Sequence, residues 1–404
     1  MNTMDSPALT LATPEGRQFF RDFYRTDLLN STIPFWFPRS IDTVHGGFLH
    51  CLDHDGSLLD TDKSVWAQGR MSWMLLTLYN TLSPNPEWLA WGLAGLEFLS
   101  KHCFDADGRM FFHVTADGRP IRKRRYAYSE CFASIAHAAA ARALDSDEHA
   151  TRSCELFDLF YDWNFTPGRM PPKFTDTRPM IGLGPRMMAI STVQELRSNF
   201  GVNARHQAIV DRCLEEIETL FVKPDRRVVM ENVAPNGDIV DHFDGRQLNP
   251  GHAIEAAWFI LLEAEYRRDS RLTRMACQML DWMWDRGWDE ECGGLFYFRD
   301  VDHKPVQEYW HDMKFWWPHD EAIIATLMAW QMTGDERYAG WHRQVHDWSH
   351  QHFADPVHGE WFGYLHRDGR RSVSIKGNLW KSFFHHPRMQ WLSWKRLDES
   401  VGAS

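Results

Sequence analysis

The sequence predicts an all-α fold, an (α/α)6 toroid in which short β-hairpins link the helix pairs at one face. Three observations carry that expectation. A Gly-rich aromatic segment, a turn containing Asp-Gly or Asn-Gly, and a second short strand recur along the chain. The copies centre near residues 47, 110, 229, 295 and 361, in steps of about 60–66 residues with one double step. Each step leaves room for two helices, and the hydrophobic periodicity supplies two.

In chain order, a helix is expected over 14–29. The first hairpin is His45-Gly46-Gly47-Phe48-Leu49-His50 with Asp55-Gly56, followed by helices over 63–81 and 86–103. The second runs from Asp107 to His113 with Asp117-Gly118, followed by helices over 128–143 and 148–163. Near 170, where another hairpin is due, Thr166-Pro167-Gly168-Arg169-Met170-Pro171-Pro172 supplies an irregular loop, and helices begin near Pro185 and Ala204. A fainter copy, Arg227 to Glu231 with Asn236-Gly237, precedes helices from His252 and Arg271. Cys292 to Phe298 precedes helices from Asp312 and Asp335, and His358 to Tyr364 precedes one from about Ser382. That last helix lacks a partner unless the N-terminal helix returns to it and closes a ring. The expectation is therefore one domain over 1–404; an open superhelix would need polar capping repeats that the sequence lacks.

The net charge of −11 over 404 residues is dispersed, with no basic stripe, which argues against a nucleic-acid partner. The dense basic run Arg122-Lys123-Arg124-Arg125 reads as a solvated hairpin edge, with a phosphate site as the alternative. Seven cysteines form no CxxC pair or metal-finger spacing, and the N-terminal segment shows no basic-then-apolar leader. Reduced thiols in a cytoplasmic protein are expected, without a membrane span. Twenty tryptophans are an unusual number; most are assigned to the core, although indoles also serve as platforms for sugar rings.

In such a toroid one helix of each pair lines the inside, and the helices that directly follow the hairpins carry unusual polar residues in their first turns. These are Trp66 and Arg70, Glu130, His252 with Glu255, then Trp316, Trp317, His319 and Glu321, and finally His385 with Arg388. Convergence of five such groups at one mouth marks a site. Two imidazoles from different helices suit removal of a proton from one face of a carbon and its return on the other, because imidazole titrates near neutrality. Glu255 is expected to orient or recharge His252, and Arg70 and Arg388 to neutralise an enolate oxygen. No familiar spacing of metal ligands is present. A glycosidase built on two of Glu130, Glu255 and Glu321 remains an alternative at this level.

Ordered blocks carry a resemblance to one family. They include Lys63-Ser64-Val65-Trp66-Ala67-Gln68-Gly69-Arg70, Ser129-Glu130-Cys131-Phe132, Glu231-Asn232-Val233 and Gly245-Arg246-Gln247-Leu248-Asn249-Pro250-Gly251-His252. Further blocks are Lys314-Phe315-Trp316-Trp317-Pro318-His319, Ser374-Ile375-Lys376-Gly377 and Phe384-His385-His386-Pro387-Arg388. Along most of its length the chain resembles the N-acylglucosamine 2-epimerase family (renin-binding protein relatives). The resemblance implies an (α/α)6 barrel and a metal-independent exchange of the C2 proton of a ring-opened amino sugar by His252 and His385. It implies substrate contact or charge stabilisation by Trp66, Arg70, Glu255, Trp317, Glu321 and Arg388, with His386 as a bystander. It further implies no required cofactor, ATP or another nucleotide as a non-consumed activator in some relatives, and a homodimer.

Cellobiose 2-epimerases and aldose–ketose isomerases of this family resemble each other in an extra His on the third inner helix. Here no His occurs between His149 and His206, and Met187-Met188 stand on that helix. An apolar pair suits an N-acyl group, so interconversion of N-acetylglucosamine and N-acetylmannosamine is the expectation. A neutral-sugar 2-epimerase or aldose–ketose isomerase, of mannose or cellobiose type, is the alternative. A binding member without turnover is a third reading, against which His252, Glu255 and His385 argue.

Overall fold

The computed structural model describes residues 9–123, 126–201 and 203–402. Twelve principal helices alternate between an outer and an inner layer. They are α1 (Pro14–Asp27), α2 (Val65–Thr81), α3 (Pro86–His102), α4 (Tyr128–Leu144), α5 (Asp147–Phe165) and α6 (Gly184–Phe200), then α7 (Ala204–Glu216), α8 (Pro250–Arg267), α9 (Ser270–Gly287), α10 (Trp316–Thr333), α11 (Glu336–His352) and α12 (His385–Gly402). The even-numbered helices pack in sequence as an inner ring, and α12 meets α2 to close it. The odd-numbered helices form the outer layer, with α1 against α12 as the sequence expects. Gln390 Nε2 fastens that closing pair by donating to Asp27 Oδ2 at 2.7 Å. This is the predicted (α/α)6 toroid.

The inner helices are apolar nearly all round, since one face meets the outer layer and the flanks meet inner neighbours. In α10 every residue from Trp316 to Ala329 is buried. The outer helices are amphipathic and well capped. Asn85, Ser146, Asn203, Asp269 and Asp335 each accept a backbone N–H in the first turn of the helix they precede. Among the described residues, no helix is long and apolar enough to cross a membrane.

The Gly-rich segments depart from expectation. They are tight turns, because Gly46, Gly47, Gly293 and Gly294 all have positive φ, which a pleated strand cannot continue. A single bridge then ties the residue after the glycines to the end of the preceding segment, as in Ile41 with Phe48, Trp288 with Leu295 and Ala354 with Trp361. The ladders are short; Cys51–Leu52 pairs with Leu58–Asp60 and His113–Val114 with Pro120–Arg122 across the expected Asp-Gly turns, and others lie just before the inner helices. Lys63–Ser64 pairs with His113–Val114, and Lys314–Phe315 pairs with Tyr364–Leu365.

A repeated clamp fixes each turn to the next inner helix. Lys63, Lys314 and Lys376 are fully buried, and each ammonium donates to the aspartate that opens a Gly turn: Asp42 at 2.7 Å, Asp289 at 3.0 Å and Asp355 at 2.7 Å. Carbonyls of the same turns, Gly46, Gly294 and Gly359, take a second hydrogen bond from these lysines. A buried ion pair needs such additional partners to offset desolvation. The clamps hold the inner-helix N-termini at one rim of the ring.

Glu130 and His319, grouped above with the mouth, belong to this scaffold. Glu130 Oε1 accepts from the Met110 N–H at 3.0 Å and pairs with Arg109. His319 Nε2 accepts from the Leu295 N–H at 2.8 Å while its Nδ1–H donates to the Phe315 carbonyl at 2.7 Å. Gln68 Oε1 does the same for Phe48 N–H at 2.7 Å. These side chains satisfy buried amides left by the tight turns. In the basic run, Arg122 ends an exposed strand, Pro120–Arg122, while Arg124 and Arg125 lie outside the described residues.

Candidate active site

A cavity of about 1240 Å³ opens at the N-terminal rim of the inner helices and is lined there by Trp66, Arg70, His252, Glu255, Trp317, His385 and Arg388. Local sequence explains how the two histidines reach it. Asn249 caps α8, its Oδ1 accepting from His252 N–H at 3.1 Å, and Pro250 begins the helix. His385 opens α12 with Pro387 in the first turn, so its side chain projects from the helix end. Trp317, at the start of α10, stands between the two imidazoles, with ring centroids 5.0 Å from His252 and 5.9 Å from His385.

The two histidines have opposite surroundings. His252 is half-buried, and its Nδ1–H faces the Glu231 carboxylate at 3.0 and 3.1 Å. Burial opposes protonation there, but the Glu231 charge and hydrogen bond outweigh it and raise the imidazole pKa above its ordinary value. His385 is buried, and its Nδ1 lies 2.7 Å from Glu321 Oε1. Burial, reinforced by the cations Arg388 and Arg70, pushes its pKa well below the usual imidazole value. One imidazole thus favours the charged form and the other the neutral form.

Three charged side chains lock together beneath His385. Arg388 Nη2 donates to Glu255 Oε1 at 2.8 Å and to Glu321 Oε1 at 2.5 Å, and Trp258 Nε1 donates to Glu321 Oε2 at 2.8 Å. Glu255, Glu321 and His385 place ligand atoms within 4.8 Å of one another. The Arg388 guanidinium already supplies positive charge to both carboxylates, so the trio reads as an ion-pair network more readily than as a metal cage. Arg70 differs. Its guanidinium stacks on Phe132 and Phe384 at 4.1 and 4.6 Å, and the hydrogen bond described for it is a long 3.4 Å contact to the Trp380 carbonyl. Burial lowers its pKa to about 9, partly offset by Glu255.

Two expectations change. Glu255 bonds Arg388 and not His252, because an i+3 position on α8 directs it across the ring toward α12. Glu321, expected to touch substrate, is fully buried behind His385 and is not part of the cavity lining. Glu231 is the partner that reasoning from helix spacing missed. It follows the strand Val228–Val229, and the next residues, Asn232–Val233, pair with Ile181–Gly182 to bring it beneath α8. Its one sequence signal is the Glu231-Asn232-Val233 block. His386, adjacent to His385, points away from the cavity and bonds Asp320 Oδ1 at 3.0 Å.

A family model for N-acylglucosamine 2-epimerase (GlcNAc 2-epimerase) matches residues 47–388. N-acylglucosamine 2-epimerases of Rattus norvegicus and Homo sapiens are each 36% identical over 369 residues, spanning 89% of this chain and 88% and 86% of theirs. Among solved structures, a cellobiose 2-epimerase from Bacillus thermoamylovorans superposes with a TM-score of 0.82 at 18% identity, covering 94% of this chain and all of that one. At that identity the superposition speaks to the fold.

Proposed function

This chain belongs to the N-acylglucosamine 2-epimerase family, and from that premise we propose that it interconverts N-acetylglucosamine and N-acetylmannosamine through two-histidine proton exchange at C2 of the ring-opened sugar. The observation that carries the mechanism is a pair of imidazoles lining one cavity with pKa values displaced in opposite directions. Neutral His385 takes the C2 proton from one face, and protonated His252 delivers one to the other. In the reverse direction the roles exchange. Loss of the C2 proton puts negative charge on the C1 oxygen as it becomes an enolate. Arg70 is placed to neutralise that charge, since Arg388 is engaged by two carboxylates. Glu231 holds His252 with Nδ1 protonated, leaving Nε2 for substrate, and Glu321 orients His385. Trp66 and Trp317 supply aromatic walls for the sugar carbons.

The third inner helix supports an N-acyl substrate. Met187 and Met188 of α6 line the cavity, and an acyl methyl packs against thioether and aromatic surface. An acetamido group at C2 also disfavours collapse of the enolate intermediate to a ketose, so epimerisation is the outcome.

The test is proton NMR of the protein with N-acetylmannosamine in heavy water. N-acetylglucosamine deuterated at C2 is the expected product, and absence of C2 exchange in either epimer refutes the reading. Mannose or cellobiose turnover in the same assay, with a ketose or epimeric product, would assign the neutral-sugar alternative. Adding ATP tests a nucleotide activator that is not consumed, and sedimentation of the purified chain tests the proposed homodimer.

A further inference from the structure

The cavity continues below the histidine pair. Its walls follow the inward faces of the inner helices to their last turns, where Thr81 of α2, Asn199 of α6, Tyr266 of α8 and Glu399 of α12 border it. Between His252 and Tyr266 the axis runs roughly 21 Å at 1.5 Å per residue. Midway down, Met188, Ser191, Glu195, Leu262 and Leu392 retain accessible surface, although Ala189, Ile190, Leu261 and Ala264 beside them are essentially buried. The barrel is hollow along its axis. Its cavity of about 1240 Å³ exceeds the roughly 300–1,000 Å³ of pockets that enclose drug-sized ligands. A hexosamine with a two-carbon acyl group does not fill it.

The chemistry of the middle stretch selects what could. Met188, Ile135, Leu262, Leu392 and Trp391 give it an apolar wall, and polar lining (Asn80, Arg142, Asn199, Lys395, Glu399) gathers at the last turns below them. Its hydroxyls are turned into backbone: Ser191 and Thr192 both donate to the Met188 carbonyl, at 3.3 and 2.7 Å. Glu195 accepts from Trp73 Nε1 at 2.9 Å, and burial raises its carboxyl pKa toward the neutral form. Such a surface offers a second sugar ring few hydrogen bonds, whereas an alkyl chain loses nothing there. With C2 between the imidazoles, the acyl group on the C2 nitrogen is the substituent that starts next to Met188.

We infer that the lower lumen is a subsite for extended acyl arms, and that the enzyme epimerises N-acyl hexosamines whose acyl chains run several carbons beyond acetyl, past Met188 toward Leu262 and Leu392. This rests on the 2-epimerase reading above.

The test is kcat/KM for a series of N-acylmannosamines, acetyl, butanoyl, hexanoyl and octanoyl, measured by product NMR with the wild-type chain and with Leu262→Trp. A closed acyl pocket penalises an excess methylene by about tenfold or more. The hollow axis instead keeps hexanoyl within about threefold of acetyl, or above it, because each buried methylene is favourable. Leu262→Trp narrows the lumen well below the histidines, so hexanoyl falls by about tenfold or more while acetyl stays within about threefold. Leu392→Trp, on another wall of the lumen, makes the same comparison if the first variant does not fold. Acetyl turnover with a steep loss at butanoyl overturns the acyl subsite alone, as does a plugged variant that treats hexanoyl as the wild type does. Silence toward every member, acetyl included, overturns the epimerase reading and the subsite with it.

Discussion

Replacing Glu231 with Gln removes a charge and keeps the shape of the side chain, which isolates its electrostatic role at His252. The carboxylate oxygens lie 3.0 and 3.1 Å from Nδ1. Two unit charges about 3 Å apart attract by roughly 5 kcal/mol at an effective dielectric near 20. The imidazole is 36% exposed, so solvent screening removes much of that. What remains is the attraction that holds the His252 pKa above its ordinary value. The sign is fixed by the raised pKa of His252: without Glu231, burial is left as the dominant influence and lowers it. When His252 acts as the acid, the alkaline limb of the kcat/KM profile moves to lower pH. The rate on that limb drops by roughly ten- to a hundredfold and converges toward wild type at acid pH. C2 deuterium exchange followed by NMR from pH 5.5 to 9 gives the profile. An unmoved alkaline limb, or a loss uniform across pH, refutes an electrostatic role for Glu231.

His252→Ala and His385→Ala each lose about 10²–10⁴-fold in epimerisation, yet each retains one base, so deuterium enters C2 of one epimer and a different one for each variant; near-full activity of His385→Ala removes the two-base scheme. Arg388→Gln leaves Glu255 and Glu321 without their cation and costs about 3–5 kcal/mol of stability, read by urea unfolding; a loss below about 1 kcal/mol shows that the network does not depend on it. The α1–α11 interface makes the fold acid-sensitive. There Tyr24 Oη lies 3.0 Å from both His342 Nε2 and His346 Nδ1, and burial pushes His342 to about 3 and His350 to about 4. Below the unfolded value of about 6.5 the unfolded chain takes up protons that the folded one refuses, so each such His costs about 1.4 kcal/mol per pH unit. Tm therefore falls from pH 6.5 to 5, and a Tm flat over that window contradicts the reading.

The toroid was legible because its signals are local. Helical periodicity, capping residues and Gly turns each span a few residues, and their recurrence at one spacing encodes the ring. The hairpins at Asp55-Gly56 and Asp117-Gly118 formed as expected, but the Gly-rich strands were misplaced, for a local reason too. Consecutive glycines beside aromatic residues look like a hairpin strand, yet Gly46-Gly47 and Gly293-Gly294 take positive φ and make turns. Glu130 and His319 looked like site residues because they stand in the first turns of inner helices, as Trp66 and Trp317 do. Their amide-capping role depends on the turn folding back over the helix, which no helix-face argument contains. Glu231 shows the same limit from the other side. It lies 21 residues from His252, on extended chain, and only the three-dimensional return of that segment makes it a neighbour.

That return decides the direction in which the resting site is charged. Spacing along α8 offers Glu255 to His252, an arrangement that would give both histidines a carboxylate from the inner ring and nearly equal pKa values. In the fold, Glu255 crosses to Arg388, and His385 then sits among cations while His252 keeps Glu231 to itself. A two-base exchange needs one imidazole charged and one neutral at the same moment; two equal histidines near neutrality would each hold the proton only part of the time. The unequal pair biases the proton onto His252. In the proposed exchange, each net turnover moves that proton to His385, where it is least stable, so its return to His252 is downhill and the site resets without help from substrate.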